Sequence, residues 1–388
     1  MNAVIYHSYD DIRIENRPIP SITDSELLVQ VHGCGLCGSD ILKIAQQAPP
    51  PVVLGHELTG TIIEKGRTVS NFEVGQRVVV AHHVPCGTCH YCRHQNYSMC
   101  ADFKASNIDP CGFAEYIRVP AQQVQHTTLL LPETLSAEEA SFTEPLACCV
   151  RAVRRTPLLD GDTVVVIGSG SVGLLMVQAL KAVETGYPAF KGAHRARRGG
   201  GGGGTFPTPA PTDLRVPLTI QNNVRVYGVD LIPERLQLAR ELGADDAFLA
   251  PPDEQGLRTI LDSYTEGRGA DAVILTVPGA GPFMQALAAV RKGGTVNIFA
   301  AHTGTAPISL ETIYQQELTI TSTYSSSPEE LRTALDLLAS RKVQVDRLIS
   351  HCLPLAEFSE GVALMRKRAA LKVYFQIAGE SQNGKYTV

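Results

Sequence analysis

A two-domain α/β fold with a doubly wound parallel sheet is predicted by three features of the sequence. Residues 1–150 hold short β-rich stretches broken by Gly and Pro. From Gly161 onward, apolar runs of strand length alternate with segments of helical spacing. A G-x-G-x-x-G motif directly follows the first of those runs and opens a helix. The chain has 388 residues, more than one domain normally uses and about right for two.

In the first part, LLVQVHG, LTGTIIEKG and GQRVVVAH are the β-rich stretches. DTVVVIG then reads as a buried strand and SVGLLMVQALKA as the helix after it. RVYGVD is the second strand. PERLQLARELG is an amphipathic helix, with Pro233 suited to its first turn and Gly243 to its end. DAVILT, TVNIFA and LTITST continue the series, and such alternation implies a parallel sheet covered on both faces. The last stretch holds a helix (SPEELRTALDLLAS), ISHCLPL and a final strand, KVYFQI.

Residues 183–223 interrupt this pattern with six consecutive glycines, five prolines and the basic run HRARR. They read as a disordered low-complexity insertion between a helix and the next strand. Ligands in such sheets bind beyond the opposite, carboxyl ends of the strands, so the insertion is expected away from the chemistry. A surface excursion, a gene-model error or a basic partner-binding loop would each produce such a segment.

Composition narrows the function. With 44% hydrophobic and 19% charged residues the chain can build a large core. A net charge of -5 and pI near 6.1 give no basic footprint for nucleic acid. No run of 18 apolar residues implies a membrane span, and MNAVIYHSYDDIRIENRP lacks the pattern of a signal peptide, so a cytoplasmic enzyme is expected.

Cys86, Cys89, Cys92 and Cys100 form C-x2-C-x2-C-x7-C. Such spacing lets one loop present four thiolates to a single ion. All-sulfur coordination leaves no open position, so the expected ion is a structural zinc, with an iron–sulfur cluster as the rival. Paired disulfides are disfavoured where thiols stay reduced.

Cys37 in GCGLCGSD, His56 and Glu57 in GHELTG, and Glu144 in FTEPLACC form a second constellation. A catalytic zinc needs about three protein ligands and one open position. Cys37, His56 and Glu57 can supply thiolate, imidazole and carboxylate, while Glu144 is either a further ligand or a partner for water on the metal.

Gly168, Gly170 and Gly173, with Val172 between them, make the glycine motif in its strand–turn–helix setting. The first glycine permits the tight turn and the second lets the backbone approach a pyrophosphate. The third allows close helix packing, and the helix N-terminus attracts the anion. An acidic residue is expected about 20 residues on. Asp230 comes 57 residues after Gly173, of which 41 belong to the insertion. Its carboxylate suits ribose hydroxyls and repels a 2′-phosphate, favouring NAD over NADP; Arg235 could approach either form.

GCGLCGSD, GHELTGTIIEKG, the four-cysteine loop, GFAEYI, EPL and IGSGSVG occur in the order found in zinc-containing medium-chain dehydrogenases. The chain resembles the sorbitol (iditol) and threonine dehydrogenase branches of that superfamily over nearly its whole length except 183–223. The resemblance implies a GroES-like, partly open β-barrel catalytic domain (1–150 and 323–388) and a Rossmann NAD-binding domain (151–322), with the active site between them. It implies a zinc that polarises a substrate alcohol, hydride transfer to NAD, and Ser39 in proton relay. It also implies Arg235 beside Asp230 in NAD binding, and Val277 and Phe299 near the nicotinamide, core packing being the other reading of those two. Relatives of this kind are commonly homo-oligomers, dimers or tetramers.

The sequence departs from the sorbitol type at Leu42, where a His often stands. The neighbouring Lys43 either faces substrate or is a solvated surface lysine. Asp40 holds the turn or serves the site. Phe113 either lines the substrate cleft, as the resemblance implies, or packs in the core. His82 and His83 are read as structural, because four sulfurs complete the neighbouring site. Cys34, Cys111, Cys148, Cys149 and Cys352 need no role beyond packing. The expected reaction is oxidation of a secondary, polyol-like alcohol. A threonine 3-dehydrogenase, a simple alcohol or phosphorylated sugar-alcohol dehydrogenase, and a non-catalytic zinc and dinucleotide redox sensor are the rivals.

Overall fold

A computed structural model describes residues 1–46, 50, 52–183, 223–302 and 304–377. The expected insertion, apart from its two end residues, lies outside them.

The first part is built on a seven-stranded sheet whose central member is Leu27–Gly35. That strand pairs antiparallel with Glu57–Lys65 on one side and Lys372–Gln376 on the other, and Tyr116–Val119 joins it as well. Nearly all of its residues are buried, as a strand covered on both faces requires. Register shifts at Leu28/Val29 and Val31/Gly33 bend it, which curls the sheet around a core of Val29, Val31, Leu58, Ile62, Phe113, Ile117 and Phe375.

The second part is a six-stranded sheet, parallel throughout, in the order Asp246–Leu249, Arg225–Asp230, Thr163–Ile167, Ala270–Leu275, Val290–Ile298, Thr319–Ser322. In chain order this is 3-2-1-4-5-6, the Rossmann arrangement. Alternate residues of one strand serve opposite layers. Val164 and Val166 join one core while Val165 and Ile167 join the other. That is why the strand reads as an unbroken apolar run.

The helix Thr143–Arg155 runs through the expected division at residue 150. It packs on Ser171–Ala182 and on Pro328–Ala339, and all three helices contribute to one core. The segment after residue 323 therefore serves both parts: its helix covers the Rossmann side, whereas Ile349–Pro354 and Lys372–Gln376 extend the first sheet.

Candidate active site and metal centres

Sheet register brings Cys37, His56 and Glu57 together. Gly35 lies opposite Glu57 in the antiparallel pair, so Cys37, just past one strand, meets His56, just before the other. Cys37 caps the helix Gly38–Ala45: its sulfur accepts from the Ser39 N–H at 3.4 Å, and its own N–H donates to Asp40 Oδ2 at 3.2 Å. A side chain at Gly35 would collide with the Glu57 carboxylate, so glycine there makes room for it. Gly55 turns the chain into the second strand with φ 97°, a conformation that favours glycine.

Asp40 joins these pieces. Fully buried, it accepts from the N–H of Cys37 and, at 3.4 Å, from that of Gly55, and its Oδ1 lies 3.6 Å from His56 Nδ1. One carboxylate thus orients both Cys37 and His56. The donor atoms of Cys37, His56 and Glu57 all lie within 4.8 Å of one another. Burial opposes a charge on His56, but the Asp40 carboxylate and Cys37 thiolate outweigh it and raise its pKa well above the usual value. The same anions favour a divalent cation, and thiolate, imidazole and carboxylate are the donor set of a zinc site. Ser39 Oγ stands 3.5 Å from His56 Nε2, at the edge of this cluster.

Glu57 has a second partner. Both its oxygens accept from Lys372 Nζ, at 2.6 and 2.9 Å, and both side chains are buried. Glu144, one residue inside the helix Thr143–Arg155, is not among the donors within 4.8 Å. It is buried, which raises its pKa, and it accepts from the Cys148 thiol at 3.6 Å. The His82 ring lies 4.7 Å from that of His56 and 3.7 Å from that of His83, whose Nδ1 is 2.7 Å from the Ser106 carbonyl. The histidine pair thus continues from the Cys37–His56–Glu57 cluster towards the cysteine lobe. Lys43 is exposed in the last turn of its helix. Phe113 is fully buried, edge-on to Phe358 and Phe375, which is the core-packing position rather than a cleft wall.

The four cysteines converge, with sulfurs within 4.8 Å of one another. Cys89 N–H donates to Cys86 Sγ at 3.3 Å, and Cys86 N–H to Cys100 Sγ at 3.4 Å. Backbone N–H groups of Thr88 and Cys89 lower the Cys86 thiol to about 6, while burial and the neighbouring thiols push Cys92 up to about 12. Four sulfurs cradled by backbone donors fit one closed tetrahedral ion.

At the dinucleotide site, Gly168 (φ 102°) directly follows the first Rossmann strand, Thr163–Ile167. A side chain there would meet Val277 and Thr276, which follow the neighbouring strand Ala270–Leu275. These two strands flank the point where strand order reverses, and it is there that such folds bind dinucleotides. Gly173 packs so closely that a side chain would run into the Gly168 carbonyl. Asp230 ends the second strand, accepting from Ser169 N–H at 2.6 Å and Ile232 N–H at 3.0 Å. Arg235 reaches towards Gly170 and donates to the Arg368 carbonyl at 3.0 Å, linking the two parts. Val172 and Phe299 are partly buried against the core, and Phe299 N–H bonds the Leu275 carbonyl at the carboxyl end of that strand.

Sequence reasoning missed Lys372 and Arg151. A lysine inside the apolar strand KVYFQI was the signal for the first. Arg151, buried on the helix that carries Glu144, donates to the Gln95 carbonyl at 2.9 Å in the cysteine lobe; its apolar neighbours Cys148–Val150 and Ala152–Val153 in the sequence were the only hint.

Comparison with known proteins agrees with this geometry. Residues 23–129 match the alcohol dehydrogenase GroES-like domain, and residues 218–340 the zinc-binding dehydrogenase domain. D-arabitol-phosphate dehydrogenase of Enterococcus avium is 30% identical, over 95% of this chain and 94% of its own length. Sorbitol dehydrogenase of Bacillus subtilis is 29% identical, over 96% of each. The solved alcohol dehydrogenase TADH of Thermus sp. ATN1 superposes with a TM-score of 0.76 at 28% identity, covering 97% of this chain and all of that one. With two metal-competent clusters and a dinucleotide fold in one chain, the protein belongs to the zinc-dependent alcohol dehydrogenase family of hydride-transferring oxidoreductases.

Proposed function

We propose that this enzyme oxidises a secondary hydroxyl of a polyol, free or phosphorylated, using NAD. The observation that carries the reading is the convergence of the Cys37, His56 and Glu57 donors beside Ser39. Residues Cys37 and His56, with Glu57 or Glu144, would hold the zinc. Zinc supplies Lewis-acid polarisation of the hydroxyl, and NAD the hydride acceptor. Ser39 Oγ takes the departing hydroxyl proton outward. Asp40 keeps the ligands aimed, and the turn Gly168–Gly173 with Asp230 binds the coenzyme. The buried carboxylate of Asp230 supports NAD over NADP, because a 2′-phosphate beside it would be repelled. The two relatives that act on polyols support the substrate class.

NADH absorbance across a panel of free polyols, phosphorylated polyols, threonine and simple secondary alcohols tests this. Turnover is expected on polyols, lost in Cys37→Ala, with NAD binding weakened in Asp230→Ala. No turnover on any alcohol, or an active Cys37→Ala enzyme, would sink the reading.

A homo-oligomer, dimer or tetramer, is supported by the edge strand Thr319–Ser322 and the exposed Leu310 and Tyr314 near it. Light scattering after size exclusion tests it, a monomer being the contrary result. A cytoplasmic setting is supported by ten cysteines without a disulfide. Among the described residues no helix is long and apolar enough to cross a membrane.

A further inference from the structure

The cysteine lobe carries a second set of metal donors on its outer face. Cys89 stands at the start of the short helix His90–Arg93, and His94 follows it. The His94 N–H donates to the His90 carbonyl at 3.2 Å, which puts the two histidines one helical turn apart on the same face. Both are exposed, and their rings lie 4.4 Å apart, centroid to centroid. An ion about 2.1 Å from one nitrogen of each ring, at a right angle between them, holds the ring centroids roughly 4.5 Å apart, close to the spacing seen here, and an i, i+4 histidine pair on a helix is a bidentate chelate for transition metals.

Three features prepare the pair. The intervening Arg93 is turned away, its Nη1 donating to the Thr88 carbonyl at 2.8 Å, so its charge does not sit between the rings. The far end of the turn is fixed, because Gln95, in left-handed conformation (φ 59°), offers its carbonyl to buried Arg151. The near end is fixed by Cys89 and Cys92, whose sulfurs lie 3.5 Å apart. Four thiolates around one divalent ion leave a net negative charge beneath the helix, which favours a second cation above it.

We propose that His90 and His94 form a surface site for one borderline divalent transition ion, of the Cu2+, Ni2+ and Zn2+ class, separate from the two zinc clusters. Imidazole donors select these metals over Mg2+ or Ca2+. The site lies on the same turn as Cys89 and Cys92, so an ion held there is adjacent to the four-sulfur centre.

Titration of the zinc-loaded enzyme with Ni2+, followed calorimetrically, tests the site. One Ni2+ per chain beyond the zinc is expected, with affinity falling roughly hundredfold in His94→Ala and in His90→Ala, as for loss of one arm of a chelate. Zinc content measured on each variant reports whether the lobe is intact. With Cu2+ on the unmodified enzyme, the electron paramagnetic resonance spectrum should show coupling to two imidazole nitrogens, which does not depend on any variant folding. Absence of extra Ni2+ binding, binding that survives both substitutions, or a Cu2+ spectrum without two imidazoles would overturn the proposal.

Discussion

Lys372 Nζ lies 2.6 Å from Glu57 Oε2 in a buried ion pair that joins the last described strand to the candidate catalytic cluster. Burial alone would lower the Lys372 pKa, but the Glu57 carboxylate, with Cys37 behind it, more than reverses this. Removing one partner leaves the other charged and unpaired. Lys372→Met is expected to cost about 3–5 kcal/mol in chemical denaturation. The double variant Lys372→Met, Glu57→Gln should recover a large part of that loss. Equal losses in the single and double variants would show that the pair is not what matters.

The four-sulfur lobe is a separate small cluster, with Phe103 as its buried apolar residue alongside Cys92 and Cys100. So little apolar packing leaves the ion to hold it together. Cys92→Ser is expected to lower zinc by one atom per chain and the melting temperature by roughly 10 °C. Metal analysis and a thermal melt on the same sample check it, and full zinc content in the variant would contradict the assignment.

Gly173 and Gly170 separate packing from ligand binding. A side chain on Gly173 meets the Gly168 backbone, whereas one on Gly170 meets only Arg235 Nη1, at 3.8 Å. Gly173→Ala should cost about 3 kcal/mol or more. Gly170→Ala should melt like the parent yet bind NAD more weakly, because its methyl group occupies the approach to the pyrophosphate. Calorimetry with NAD distinguishes the two, and unaltered NAD affinity in Gly170→Ala would argue against the site.

Acid sensitivity should be visible at the N-terminal hairpin, where Asn2–Ser8 pairs antiparallel with Asp11–Asn16. Glu15 is held below its ordinary pKa chiefly by its hydrogen bond with His7 at 2.6 Å, with Arg17 and Arg13 adding to it. A lowered carboxyl value gives stability that is present above the unfolded value, about 4.3, and lost as the pH falls through the folded one. Glu15→Gln should therefore melt below the parent at pH 7, and the gap should close as the pH is lowered through and below that unfolded value. A gap independent of pH would refute this.

Much of the molecule is determined by local pattern. The apolar runs at Thr163–Ile167 and Ala270–Leu275, the glycines between strand and helix, and the cysteine spacing each encode their structure within a few residues. Backbone conformation, period and ligand spacing are short-range properties, so the strand–helix alternation, the glycine turn and the sulfur cluster could be read directly, whereas the order of the strands came from the fold. Asp230 was legible despite the insertion because a strand end fixes its place.

What only tertiary structure decided depends on residues far apart in the chain. The partnership of Glu57 with Lys372 spans 315 positions, and that of Arg151 with Gln95 ties the helix Thr143–Arg155 to the cysteine lobe. The placing of Phe113 in the core rather than a cleft was also undecidable from composition, since a phenylalanine suits both. Such pairings arise when sheet register and helix packing bring distant segments together. Burial then makes charge and shape complementarity compulsory, and no local pattern records that requirement.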